Sequence, residues 1–227
     1  MSVAENLAAI RERIASACER AGRPVDAVRL VAVAKKQSID KVREVLKAGQ
    51  RDIGENYGQE LRDKAAALVE RPPEWHFIGP IQSNKVRYVA AHADWVHTID
   101  RLSIARELKD RCDRADRTPR VLVEVNIARE PQKSGVDPEA AAELVHALRT
   151  LGLPPRGLMC MPPFDLPLSK TTAYFAALRE LGQSLAGEGA LDSSHELSMG
   201  MSEDFEQAIL EGATMVRVGT AIFGTRG

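Results

Sequence analysis

Arg120–Asn126 reads RVLVEVN, and its run of β-branched residues is the clearest strand signal in the chain. Helix-like stretches flank it, Leu102–Ala115 before and Asp137–Leu151 after. Working outward, the same alternation repeats. Toward the N-terminus the strand-like segments are Trp95–Ile99 (WVHTI), Trp75–Gly79 (WHFIG), Asp52–Glu55 (DIGE) and Arg29–Ala34 (RLVAVA). Toward the C-terminus they are Arg156–Met161 (RGLMCM), His195–Met199 (HELSM) and Thr214–Val218 (TMVRV). Ser38–Ala48, Tyr57–Val69, Ser83–Ala91, Ser169–Ala186 and Ser202–Glu211 are the other helix-like stretches between strands. One further helix precedes the first strand: Ser2 and Glu5 make a capping box, and Val3, Leu7, Ile10, Ile14 and Cys18 fall on one face. Eight strands with intervening helices predict an α/β fold, a closed (β/α)8 TIM barrel. An open doubly wound sheet is the alternative, but no Gly-x-Gly-x-x-Gly follows a strand, and Gly187-Glu188-Gly189 comes after a helix. Pro72-Pro73, Pro154-Pro155 and Pro162-Pro163 read as loop corners rather than linkers, so residues 1–227 are expected to form a single barrel domain.

Composition excludes several functions. The chain has 227 residues, of which 44% are hydrophobic and 28% charged, with 31 Lys+Arg against 32 Asp+Glu. That balance leaves no polybasic stripe for nucleic acid. No apolar run approaches the ~20 residues of a membrane helix, and the N-terminus lacks a signal peptide's apolar core. Three widely spaced cysteines, Cys18, Cys112 and Cys160, fit neither a disulfide framework nor a zinc site. The five histidines show no metal spacing, and His76 and His195 are expected to be structural residues within strands. A reduced, cytoplasmic protein is the expectation.

In a barrel, chemistry gathers where strands end and βα loops begin. The loops after strands seven and eight carry Ser198-Met199-Gly200-Met201-Ser202 and Arg217-Val218-Gly219-Thr220. Their glycines allow close backbone approach, and this is the usual phosphate cradle of the fold. Ser202 equally reads as a helix N-cap, with Glu203 and Asp204 in the first turn. Strand one closes on Lys35, beside Lys36, and a lysine at the mouth suits imine formation with a carbonyl ligand. Periodicity does not choose between the two. Lysine, phosphate cradle and a last-strand arginine together point to pyridoxal phosphate. Asn126 reads equally as a site residue or a turn former. Met161, Met199 and Met201 are expected to wall the mouth.

The strings LVAVAKK, GENYGQE, WHFIGPIQSNK, VEVNIAREPQKSGV, RGLMCMPP, LSMGMSEDFEQAI and GATMVRVGTAIFG, in order from Leu30 to Gly224, resemble the pyridoxal phosphate homeostasis protein family. The resemblance implies a barrel like the N-terminal domain of alanine racemase, with pyridoxal phosphate held as an internal aldimine on Lys35. It places the phosphate on Ser202 and the backbone of Gly219 and Thr220, Arg217 beside the pyridine nitrogen, and Asn56 in the GENY motif. Where the family has a serine before the lysine this chain has Ala34, and Lys36-Gln37-Ser38 replaces the usual Thr-Lys-Pro. Lys36 therefore stays an alternative attachment point.

Three functions compete: a carrier of pyridoxal phosphate with no committed reaction, an amino-acid racemase, and a Schiff-base aldolase. The aldolase needs a proton-transfer group from Glu55, Glu124 or Tyr57. Racemisation is easiest with two bases. Alanine racemase has a second domain that supplies a tyrosine, whereas this sequence stops at Gly227, and of Tyr57, Tyr88 and Tyr174 Tyr57 alone is expected near the mouth. Arg217 stays protonated and can only donate to the ring nitrogen, which makes the ring a poor electron sink. The carrier is the reading adopted: not an enzyme, a monomer, with PLP-dependent apoenzymes or amino acids as partners.

Overall fold

In the computed structural model, which describes residues 2–163 and 165–224, the strands close on themselves. They are β1 (Arg29–Val33), β2 (Asp52–Glu55), β3 (Glu74–Phe77), β4 (Trp95–Ile99), β5 (Arg120–Glu124), β6 (Gly157–Met159), β7 (Glu196–Ser198) and β8 (Met215–Val218). Each runs parallel to the next, and β8 pairs back onto β1 with Arg217 opposite Val31. Closure removes the exposed edges of the sheet. Parallel neighbours need long crossovers, and helices supply them. These are α2 (Ile39–Lys47), α3 (Gly58–Ala67), α4 (Val86–His92), α5 (Leu102–Arg114), α6 (Ala141–Thr150), α7 (Leu168–Gly187) and α8 (Phe205–Leu210). The long α1 (Val3–Arg20) and the short α9 (Thr220–Phe223) complete the shell.

Strand alternation divides the barrel into two layers. On β8, Val216 and Val218 face outward into the main apolar core, whereas Met215 packs in a separate cluster with Trp95, Leu122 and Met159. On β1, Leu30, Ala32 and the following Ala34 belong to the outer core. The outer layer contains Phe77, Phe175, Phe205, Leu61 and Leu108, each at most 1% exposed. Burying such a side chain is worth about 1.5–3 kcal/mol, so this layer carries most of the stability.

The capping box on α1 forms: Ser2 N–H donates to Glu5 Oε2 at 2.7 Å, and Glu5 N–H to Ser2 Oγ at 3.2 Å. The five expected apolar positions of α1 are all buried, and the helix lies against α2, α8 and α9.

Several strands end earlier than β-propensity predicts. β5 stops at Glu124, and Asn126 is a turn former: its Oδ1 accepts the Glu130 N–H and its Nδ2 donates to the Glu130 carbonyl. His195 stands before β7 rather than in it, with Nδ1 3.0 Å from the Asp192 carbonyl. The last long helix is also shorter than expected. α8 begins at Phe205, so Ser202 is not its cap; Asp204 occupies that place, and its Oδ1 accepts the Met201 N–H at 2.6 Å. The turn is set by Gly200 at φ +90, where an added Cβ would lie 2.5 Å from Ala208 Cβ and 2.9 Å from Phe205 Cα.

Candidate functional site

The parity of β1 carries past its end: Val33 and Lys35 line a cavity at the mouth, and Ala34 points into the outer core. A buried lysine from α3 fixes this turn. Lys64 Nζ donates to the Ala34 carbonyl at 2.7 Å, to Glu55 Oε1 at 2.6 Å and to Glu60 Oε2 at 3.1 Å. Glu60 Oε2 in turn accepts the Lys36 N–H at 2.7 Å. Lys36 takes a left-handed φ of 58 and places its Nζ 5.9 Å from the centre of the exposed Tyr57 ring. The structure thus brings Lys35 to the cavity and sends Lys36 outside it. Burial pushes the Glu55 carboxyl up to about 7, although Lys64 opposes the shift. Lys64 is a residue that sequence reasoning missed.

The cavity has a volume of about 670 Å³, within the range of small-molecule sites. Lys35, Asn56, Ser202, Arg217, Gly219 and Thr220, all expected at the site, line it together. Met161, Pro163, Leu166 and Leu168, from the loop after β6 and the start of α7, give it an apolar side. Met201 also lines it, but Met199 is buried in the outer core instead, because alternation along β7 turns it outward. Tyr57 is not in the lining. Asn56 is clamped by the neighbouring loop: a Cβ on Gly79 would lie 2.1 Å from the Asn56 carbonyl oxygen, so only glycine fits. The Asn56 Oδ1 is buried without a hydrogen-bond partner among the described residues, an acceptor waiting for a donor.

The loops after β7 and β8 meet at Ser202 and Gly219, whose N–H lies 3.4 Å from Ser202 Oγ. Thr220 opens α9, and the first amides of a helix have no acceptor within it. A hydroxyl and backbone amides therefore converge on one wall, a donor set that suits a phosphate. The two acidic neighbours bear on this differently. Glu203 is exposed, and the Asp204 carboxylate is tied to Met201; burial raises its pKa.

Arg217 forms the floor. It is 5% exposed, and its Nη1 donates to Ser198 Oγ at 2.7 Å while Nη2 donates to the Cys160 carbonyl at 3.0 Å. Burial lowers its pKa, opposed by Cys160, Asp204 and Glu124. A guanidinium so placed remains a donor. Burial, with repulsion from Asp100, lifts the Glu124 carboxyl up to about 7, and burial lifts the Cys160 thiol up to about 12. Cys160 is therefore a buried thiol and not a nucleophile. Among the described residues no group of His, Cys, Asp or Glu could hold a metal ion, and no helix is long and apolar enough to cross a membrane.

The family described as the alanine racemase N-terminal domain matches residues 6–227. The pyridoxal phosphate homeostasis protein of Pseudomonas aeruginosa is 47% identical, over 99% of this chain and 96% of that protein. Its namesake in Escherichia coli K12 is 44% identical, over 99% and 97%. Among solved structures, PipY of Synechococcus elongatus with PLP bound superposes with a TM-score of 0.82 at 36% identity, covering 98% of this chain and 100% of PipY.

Proposed function

The chain belongs to the pyridoxal phosphate homeostasis proteins, within the alanine racemase N-terminal domain family, and from that premise we propose how its cavity serves them. The protein binds pyridoxal 5'-phosphate and acts in the homeostasis of that cofactor, holding it and releasing it to apoenzymes. The observation that carries this reading is the convergence of Lys35, Arg217 and the Ser202–Gly219–Thr220 wall on one 670 Å³ cavity.

The residues fit the group. Pyridoxal phosphate brings an aldehyde, a pyridine nitrogen and a phosphate dianion to the site. Lys35 supplies the amine for the aldehyde, held in place because Lys64 and Glu60 pin the peptides on either side of it. Ser202 Oγ and the amides of Gly219 and Thr220 take the phosphate. Arg217 donates to the ring nitrogen and keeps it unprotonated. The orphaned Oδ1 of Asn56 offers an acceptor beside the ring.

The same residues argue against a committed reaction. Arg217 withholds the proton that would make the ring an electron sink. Tyr57, the one tyrosine expected at the mouth, is half-exposed beside Lys36 and outside the cavity, so no tyrosine stands opposite Lys35 as a second base among the described residues. Racemisation is the reading set aside on that ground. The chain works as one barrel domain over residues 1–227, a cytoplasmic monomer whose open mouth admits amino acids and presents the cofactor to its recipients.

The test is titration of the cofactor-free protein with pyridoxal phosphate, followed by absorbance. Saturable uptake of one equivalent with a shifted visible band is expected, and α-proton exchange of amino acids in deuterated water should stay far below the ~1–10³ s⁻¹ of ordinary enzymes. A spectrum identical to free cofactor would refute binding. Exchange at enzymatic rates would restore the racemase.

A further inference from the structure

Arg217 is the first member of a hydrogen-bonded chain, fully buried through its middle, that runs from the cavity floor through the barrel. Its Nη1 donates to Ser198 Oγ on β7 at 2.7 Å. Ser198 Oγ lies 2.9 Å from His97 Nδ1 on β4. His97 Nε2 lies 2.9 Å from His76 Nδ1 on β3, and His76 Nε2 lies 3.1 Å from Asp52 Oδ1 at the start of β2. The same Asp52 oxygen accepts from Arg29 Nη1 at the start of β1, at 2.8 Å. Ser198, His76 and His97 are each fully buried. Since β1 and β2 begin at the end of the barrel opposite the mouth, the chain joins the cavity floor to the far rim.

With both imidazoles neutral, as their burial favours, the two ends fix where every proton lies. Arg217 can only donate, so Ser198 Oγ accepts from it. The Asp52 carboxylate can only accept: burial works to raise its pKa, but the bonds from His76 and Arg29 prevail and hold it below the ordinary range. His76 must then carry its proton on Nε2 and leave Nδ1 bare. His97 must donate to that nitrogen from its own Nε2, and its bare Nδ1 accepts the Ser198 hydroxyl proton. Two neutral imidazoles of the same tautomer satisfy every bond. Burial depresses both histidines, His97 well below its ordinary value, with His76 and Arg217 adding repulsion. A second proton on His97 would leave the Ser198 hydroxyl hydrogen facing donors on both sides.

The geometry points to Ser198, His97 and His76 as positioning residues, a one-way hydrogen-bond relay anchored on Asp52 that fixes the Arg217 guanidinium beneath the cofactor ring. This rests on the proposed binding of pyridoxal phosphate. Arg217 has five donors in a rigid fork, and two are committed to Ser198 and to the Cys160 carbonyl. That commitment sets the plane of the fork and leaves the rest to point at the cavity. Without the hydroxyl, one anchor of the fork is lost and a buried donor is left unpaired. Trp95 stacks on His76 with the rings 6° from parallel and 5.8 Å apart, which holds the middle of the relay in register.

The test starts with the cofactor-free protein. Two-bond ¹H–¹⁵N spectra should show His76 and His97 protonated on Nε2 and bare at Nδ1, and in Ser198→Ala the His97 Nδ1 resonance should move as its donor disappears. In the loaded protein, Ser198→Ala should weaken retention of pyridoxal phosphate about tenfold and shift its absorption maximum, and Ser198→Thr should recover both. His97→Phe, which keeps a ring in the same space and removes both of its nitrogens, is a second break with the same expected loss of retention and shift of the band. A purely structural role would lower the melting temperature and leave tautomer and band alone. A proton on Nδ1 of His97 in the native protein, or unchanged retention and absorption in a folded Ser198→Ala, overturns the relay. Failure of the native protein to take up the cofactor overturns the functional reading instead, and the tautomers in the cofactor-free protein still decide the relay.

Discussion

The same eight strands supply two regions built on opposite rules. Outside the barrel, where strands meet helices, the contacts are apolar and numerous: Leu61, Leu108, Phe175 and Phe205 are buried at 0% exposure. Inside, the apolar cluster shrinks to Trp95, Leu122, Met159 and Met215, and beside it stand Arg217, Ser198, His97 and His76 wired to one another. Apolar packing is non-directional, so the outer layer tolerates approximate fit and supplies stability in bulk. A buried polar chain is directional, and each member is costly if left unpaired. The comparison teaches that stability and function are separated by the pleat of the strands, one residue apart.

The separation can be broken in order of expected effect. Leu108 on α5 is fully buried in the outer layer, and Leu108→Ala should cost about 2–5 kcal/mol in denaturant unfolding. Uptake of pyridoxal phosphate per folded molecule should not change; a changed affinity would show that the layers are coupled.

Glu124 sharpens the comparison from inside. Its carboxyl stands at about 7 against an ordinary 4.5, chiefly through burial. An acid whose folded value is raised stabilises the fold fully below its unfolded value and loses that contribution as pH rises through the folded one. The native cofactor-free protein should therefore lose about 3 kcal/mol from this group between pH ~4.5 and ~7. Glu124→Gln has no proton to release, so its stability relative to the native protein should climb by that amount across the same window. The histidines act with the opposite sign: their lowered values mean that stability is lost as pH falls below the ordinary histidine range. Melting temperatures of the two proteins from pH ~4 to ~8 give the comparison, and parallel curves would refute the raised carboxyl.

The outer layer is also the part that was legible in the sequence. RVLVEVN, RLVAVA and WVHTI announce strands because buried parallel strands must be apolar on the helix side, and the eight segments all appear in order. Their ends were less legible. Asn126 leaves β5 because its side chain closes a loop on Glu130, a contact four residues away that competes with the ladder. Ser202 reads as a helix cap because its neighbours are good first-turn residues; Asp204 holds the cap position instead, with its side chain turned back to Met201 and not onto the helix amides. The cavity residues are legible through motifs, and the family-like string LVAVAKK points to Lys35; periodicity alone does not choose between Lys35 and Lys36, since alternation gives opposite faces without saying which is inward. The relay was invisible for a simpler reason: His97 and Ser198 are 101 positions apart, and no local pattern marks either. Lys64 likewise reads as a solvated charge on α3 until Glu55 is seen beneath it.

The most direct measurement is borohydride reduction of the cofactor-loaded protein followed by peptide mapping. The account predicts a pyridoxyl group fixed to Lys35, the lysine that strand parity and the Lys64–Glu60 clamp turn into the cavity. A label on Lys36, or reduced protein that releases all of its cofactor on denaturation, would contradict it.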